Sequence, residues 1–361
     1  MKNIGYIYLL LMAISTIAGC ARETSESLEP TPAYQKTINW RVQSDNVQPG
    51  RALMNNTLLE SSCTPATGGQ SIGIWGDYTL ENNNQTITTN VFNATRLVFE
   101  RQDENTNPTC DWNYRGDARY WEMGATYDFR ACYPQDLMTS LMTQIDAKVL
   151  QGGPINTSTI QQDILVAATQ VNTLRTDLTK PVDLKMEHIF AAIQFKVKAK
   201  YGYNPPNDEG VTSCWLQNQN SATDLFSPSG YLVYSGNTNP EITWYTYESS
   251  TAPMYVWKHA CLPFQTENTL YIRNDGMTGS EYTTNDGWLL VVPQKVKAET
   301  LRFYYTLKYT GEQIYSVNIP AITYEHGKKY TYMLEISGSD VEISLTIAPW
   351  NKMDSSYDIN L

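Results

Sequence analysis

The chain has 361 residues, 26 basic and 37 acidic side chains, and a formal net charge of −11. Hydrophobic residues make up 41% and charged residues only 17%, which supplies material for a real core and excludes an intrinsically disordered chain. The acidic balance leaves no basic patch to neutralise phosphates, so no nucleic-acid partner is expected, and three His with six Cys argue against a metal-rich centre or any cofactor.

Lys2 precedes an apolar run from Ile4 to Ile17 that is too short for a stable membrane span. The run ends in Ile17-Ala18-Gly19-Cys20. This resembles a lipobox, in which small residues give a peptidase access to the backbone and the cysteine is lipidated. An ordinary secretory signal is the simpler alternative. Residues 1–20 are therefore read as a lipoprotein signal peptide with Cys20 as the lipidation site, which anchors the protein in an outer membrane with its bulk at the cell surface. Loss of Lys2 leaves 25 basic against 37 acidic side chains, a net of −12. Residues 21–36 are polar, acidic and contain Pro30 and Pro32, as in a flexible tether. Glu23, Glu26 and Glu29 fit a surface-export signal.

Beyond the tether the chain alternates in short segments. Ile38, Trp40 and Val42 share one face of a first strand. Strands follow at 71–76, 96–100 and 125–131, separated by Asn/Thr/Gly-rich stretches such as 82–90 and 103–118. Residues 137–150 repeat Leu137, Leu141, Ile145 and Val149 at four, which predicts the one sizeable helix. From Pro181 a new series begins: 182–188, 193–199, the apolar run 289–292 and 301–307. Residues 330–336 and 341–347 are predicted to form a hairpin around Ser337-Gly338-Ser339-Asp340, with Val341, Ile343, Leu345 and Ile347 on one face. Twenty-five Tyr and nine Trp also favour β-structure. Many short strands with few short helices predict an all-β chain of two tandem β-sandwich domains, residues 37–180 and 181–361.

Five cysteines remain after Cys20: Cys63, Cys110, Cys132, Cys214 and Cys261. The number is odd and no C-x-x-C occurs, so buried thiols and one or two disulfides both stay open; Cys110–Cys132 is the first pairing to test. No nucleophile-elbow, phosphate-loop, zinc-helix or dinucleotide motif is present, and no enzyme activity is expected. His188 lies in a strand built for packing and reads as structural; His326, before Gly327, reads as solvated. Asp111, Glu122 and Asp128 sit near Trp112, Tyr114, Tyr120 and Trp121. That neighbourhood is either a sugar site or the aromatic edge of a sandwich.

Taken in order, several segments resemble the Bacteroidetes fimbrillin family, the lipoprotein subunits of type V pili. These are Pro49-Gly50-Arg51-Ala52, Ile72-Gly73-Ile74-Trp75, Trp112-Asn113-Tyr114, Tyr120-Trp121 and the run from Tyr127 to Pro134. Downstream are the segment from Gln162 to Ala167, Leu184-x-Met186-x-His188, Val291-Val292-Pro293-Gln294 and the closing stretch from Gly327 to Trp350. Glu122, Met186 and Ala192 depart from the family pattern at packing positions. The resemblance implies transthyretin-like Greek-key sandwiches and a mechanism. A trypsin-like protease cuts between Arg51 and Ala52. The strand carrying Ile38, Trp40 and Val42 is removed. The C-terminal segment of a neighbouring subunit fills the groove, with Val341, Ile343, Leu345, Ile347 and Trp350 as the candidate donor. Partners are then other pilus subunits in a head-to-tail polymer, the protease, and a host or glycan receptor. A surface glycan-binding lipoprotein of a polysaccharide-uptake system is the alternative, with Trp112, Trp121, Trp215 and Trp244 as platforms; a glycoside hydrolase ranks last.

Overall fold

The structure is a computed structural model. It describes residues 36–44, 71–82, 85–101, 110–114, 116–135, 142–146, 149–157, 162–200, 210–219, 226–235, 241–248, 254–263, 270–272, 288–298, 301–308, 313–337, 340–350 and 358–359. Cys20, Arg51, Ala52, Cys63 and most of the tether lie outside these residues.

The chain is all-β. Seven strands join in one closed sheet: β1 (Trp40–Ser44), β2 (Ser71–Asn82), β3 (Gln85–Arg101), β4 (Cys110–Tyr114), β5 (Thr126–Tyr133), β8 (Leu165–Asn172) and β9 (Val182–His188), in the spatial order β1-β4-β3-β2-β5-β8-β9. This is a barrel rather than the two facing sheets expected of the N-terminal half, because β1 bridges β4 to β9. Ile72, Ile74, Phe92, Leu97, Tyr127, Phe129 and Leu184 fill its interior. β9 belongs to this barrel. The strand after it, β10 (Ala191–Ala199), pairs instead with strands of the C-terminal half.

The C-terminal strands form two sheets around a second core. One sheet takes β10 (Ala191–Ala199), β15 (Leu270–Ile272), β16 (Leu289–Val291), β21 (Lys328–Ser337), β22 (Asp340–Pro349) and β23 (Asp358–Ile359). The other takes β11 (Gly210–Asn218), β14 (Met254–Pro263), β18 (Leu301–Leu307) and β19 (Ile314–Asn318). Alternation does the work. Tyr330, Tyr332, Leu334 and Ile336 of β21 face Leu301, Phe303, Tyr305 and Leu307 of β18 across the buried layer. The predicted hairpin is present, with Tyr330 opposite Ile347 and Ser337 opposite Asp340. β17 (Gln294–Val296) and β20 (Ile322–Tyr324) make a small ribbon.

Two segments depart from the sequence expectation. Within residues 137–150, predicted as one helix, lie β6 (Met142–Asp146) and the first two residues of β7 (Val149–Asn156). β6 pairs with β7, β7 with β12 (Ser229–Ser235) and β12 with β13 (Glu241–Glu248), so one sheet draws strands from both sides of residue 180. The apolar spacing at four is as compatible with bent strands as with one short helix, and Gly152-Gly153-Pro154 cannot extend a helix. The polar stretch at 82–90 belongs largely to the β2–β3 hairpin, because Thr86, Ile87, Thr88 and Thr89 are β-branched.

The third sheet also explains β5. Its alternation promises one solvated face, yet Tyr127 to Tyr133 are all buried. The inward face packs in the barrel. The outward face, through Cys132 and beside Trp75 of β2, clusters with Leu150, Ile155, Leu232 and Tyr234 of the sheet formed by β6, β7, β12 and β13. Close approach is extreme at Gly153, whose φ is +129° and whose added Cβ would stand 2.6 Å from the Tyr231 Cβ. Gly153→Ala is expected to cost about 1–3 kcal/mol from backbone strain alone, read as a lowered urea midpoint at unchanged slope.

Cys132 is a buried thiol, and burial raises its pKa. Cys110 lies on β4, which β3 and β2 separate from β5 around the sheet, so the two cysteines do not sit on neighbouring strands.

Candidate functional site

The first strand is the stave that closes the barrel. β1 runs parallel to β9 over five register pairs, from Trp40 with Val182 to Ser44 with Met186. On its other side it meets β4 at one pair, Trp40 with Trp112. Just upstream, the Ile38 N–H donates to the Arg119 carbonyl at 2.9 Å, and the Trp121 N–H donates to the Lys36 carbonyl at 3.1 Å. Backbone attachment is thus strong on the β9 side and sparse on the β4 side.

Its side chains do the holding. Ile38, Trp40 and Val42 are 1%, 5% and 2% exposed, on the one inward face that the alternation predicts. The Trp40 ring packs edge-on against Phe92 at 5.4 Å and Phe129 at 4.9 Å. Asn39 and Arg41 point outward. Arg41 pairs with Asp183 on β9, with its Nη2 2.6 Å from Oδ2. The hydrogen bond from Arg41 is the main reason the Asp183 carboxyl is held below its ordinary range. The pair therefore favours the folded state above the ordinary carboxylate pKa and loses that contribution as pH falls through the lowered value. Both groups are solvated, so the contribution is small. Without β1, the groove between β4 and β9 would be floored by Phe92, Phe129, Trp112 and Leu184.

The candidate donor residues lie at the far end of the chain. Leu345 is buried, and Val341, Ile343 and Ile347 pack half-buried on the C-terminal core. β22 is matched to β21 along its whole length. β23, in contrast, meets β22 only at Leu345 with Ile359 and Thr346 with Asp358. Trp350 closes the strand, with its N–H donating to the Gly327 carbonyl at 2.8 Å. Its ring lies flat on His188, centroids 4.3 Å apart and 14° between planes.

His188 is structural, as the sequence predicts. Its Nδ1 lies 2.9 Å from Asp163 Oδ2, and both side chains are fully buried between barrel and sandwich. Sequence reasoning missed this pairing, because Asp163 sits 25 positions away, in the segment from Gln162 to Ala167 noted there only for its family resemblance. His326 is half-buried rather than solvated; burial lowers its pKa against a hydrogen bond to the His188 backbone.

The other nominated groups do not converge. Trp112 and Trp121 are buried in the barrel core and offer no surface platform. Asp128 points outward and accepts from Gln170 Nε2 at 2.8 Å, apart from both rings. Trp244 donates its indole N–H to the Ile189 carbonyl, and Trp215 stacks on Tyr304 at 5.5 Å. Among the described residues no group of three or more His, Cys, Asp or Glu is arranged to hold a metal ion.

Comparison with known families adds the deciding observation: a fimbrillin-like family model matches residues 51–350. The chain belongs to the fimbrillin-like family. Its fold is similar to that of a fimbrial protein from Bacteroides vulgatus, with TM-score 0.55 and 14% identity over 87% of this chain and 99% of that one. A candidate cell adhesion protein from Bacteroides uniformis aligns with TM-score 0.47 and 17% identity over 80% of this chain and 95% of that one. The tip fimbrial protein Mfa3 from Porphyromonas gingivalis aligns with TM-score 0.34 and 11% identity over 78% and 95%. No match was found among curated proteins. In this fimbrillin-like chain the matched stretch begins at Arg51, after β1, and ends at Trp350, on the His188 ring.

Proposed function

We propose that this chain is a subunit of a cell-surface pilus, exported as an outer-membrane lipoprotein through Cys20 and assembled by strand exchange. A trypsin-like protease cuts behind Arg51, β1 leaves, and a segment of a neighbouring subunit takes its place beside β4 and β9. Membership of the fimbrillin-like family supports the pilus role. The observation that carries the mechanism is the asymmetry of β1: three apolar side chains in the barrel core on a strand with one register pair to β4. Removing such a strand leaves unpaired backbone and an apolar slot, which an extended segment fills with main-chain bonds and alternate side chains. Each subunit contributes one segment and accepts one, so the contact is heterologous and the polymer grows open-ended.

The donor is sought at the C-terminus, where Val341, Ile343, Leu345, Ile347 and Trp350 precede a tail ending at Leu361. Withdrawing β22 uncovers the sandwich core, whereas β23, in the tail, meets β22 at two register pairs. Tyr357, Ile359 and Leu361 also repeat the two-residue spacing of Ile38, Trp40 and Val42. The tail is therefore the economical donor, with β22 as its root.

Limited trypsin treatment of the full chain should yield a species beginning at Ala52 that forms filaments visible by electron microscopy. Arg51→Ala should stay folded and monomeric under the same treatment. Filaments formed equally by Arg51→Ala would sink the processing step. Filaments formed by a chain truncated after Trp350 would exclude the tail as donor.

A further inference from the structure

Beside the groove lies a cleft of about 580 Å³. One wall is β3, at Asn90, Asn93 and Thr95; the other is the loop carrying Arg119, Tyr120 and Glu122. β3 is irregular along this wall. Its register with β2 slips between Ile74 and Gly76 and again between Gly76 and Asp77, each time placing one extra residue on β3. Ala94 has a φ of +48°, in the left-handed region that alanine rarely occupies. Two bulges and a strained residue within six positions turn this stretch away from regular pairing and re-aim its side chains.

The opposite wall is fixed as firmly. The Arg119 N–H donates to Tyr114 Oη at 2.5 Å, the Glu122 N–H donates to Tyr127 Oη at 2.7 Å, and the Arg119 carbonyl accepts from Ile38. Asn90 is held by its amide nitrogen, which donates to Asp77 Oδ1 at 2.7 Å. The cleft is thus preorganised, and its volume falls in the range of small-ligand sites.

Its chemistry selects one class of ligand. Tyr120 is 47% exposed and offers a flat amphipathic ring. Asn93, Arg119 and Glu122 are exposed beside it and supply both donors and acceptors. Among the described lining residues the cation Arg119 is offset by the anion Glu122, so a phosphate or sulfate would meet Glu122 as well as Arg119. A wholly apolar ligand would strip water from these polar groups without replacing it. A ring with apolar faces and a hydroxylated rim satisfies both demands. We propose that this cleft binds a neutral glycan. The site differs from the tryptophans considered above, and the uncut chain already presents it.

The test is a screen of the full chain on an immobilised array of neutral and anionic oligosaccharides, followed by calorimetric titration with the best neutral one. Tyr120→Ala and Asn93→Ala, both at exposed positions, should each weaken binding by about tenfold while leaving circular dichroism and melting unchanged. Ile314→Ala, exposed on β19 of another sheet, should bind as the parent chain does. Absence of neutral-glycan binding, preference for anionic glycans, or undiminished affinity in both cleft variants overturns the proposal.

Discussion

Trp40→Ala is expected to destabilise the protein by about 3–5 kcal/mol, the range for truncating a large aromatic in a closed core. The ring is 5% exposed and wedged edge-on between Phe92 and Phe129, which themselves pack within the barrel. Little can collapse into the vacated space, because strand pairing around the closed sheet holds those rings in place. The neighbouring Arg41→Ala removes only a solvated ion pair and should move stability far less. Urea unfolding followed by circular dichroism measures both. A Trp40→Ala loss below about 1 kcal/mol would mean that β1 rests on the barrel without being part of its core. The same magnitude bears on assembly. A slot whose filling is worth several kcal/mol is one that a replacement strand enters with a comparable gain. Cutting behind Arg51 would then drive polymerisation through the burial that β1 gives up.

Asp163→Ala is expected to cost about 3–5 kcal/mol, for a different reason: it leaves His188 buried without its partner. Asp163 and His188 are both fully buried, 2.9 Å apart, at the junction of barrel, third sheet and sandwich. Above the imidazole lies Trp350, so an unpaired His188 disturbs the end of β22 as well. Asp163→Asn keeps an oxygen acceptor in place and should lose less. Removing both polar partners, as Asp163→Leu with His188→Phe, should recover most of the loss, because no polar group is then stranded. Thermal and urea unfolding of the three variants separates a polar-pairing effect from a packing effect. Equal losses in all three would show that packing alone matters at this junction. Hydrogen exchange in 340–350 should rise in Asp163→Ala if Trp350 depends on the pair.

How much of this was legible beforehand follows the range of each interaction. The inward face of Ile38, Trp40 and Val42, the faces of β9 and β18, and the closing hairpin all appear in the alternation, because a strand half-buried on a sheet repeats at two wherever it sits. The failures involve contacts between distant segments. β7 takes its conformation from pairing with β12, some 80 residues downstream, and β6 from pairing with β7, so their spacing at four misled. β5 reads as half-solvated, but the third sheet covers its outer face. Trp112 and Trp121, taken as surface platforms, fill the barrel because each lies on its inward side.

Amino-acid order alone determined the all-β class, the apolar first strand and the family resemblance, since each rests on a local pattern or a short motif. Tertiary structure decided that the first strand closes a barrel, that Asp163 meets His188 under Trp350, and that a bulged β3 faces Tyr120 across a cleft. Closure, buried pairing and bulge position all depend on which distant strands become neighbours, and no single-strand period carries that information.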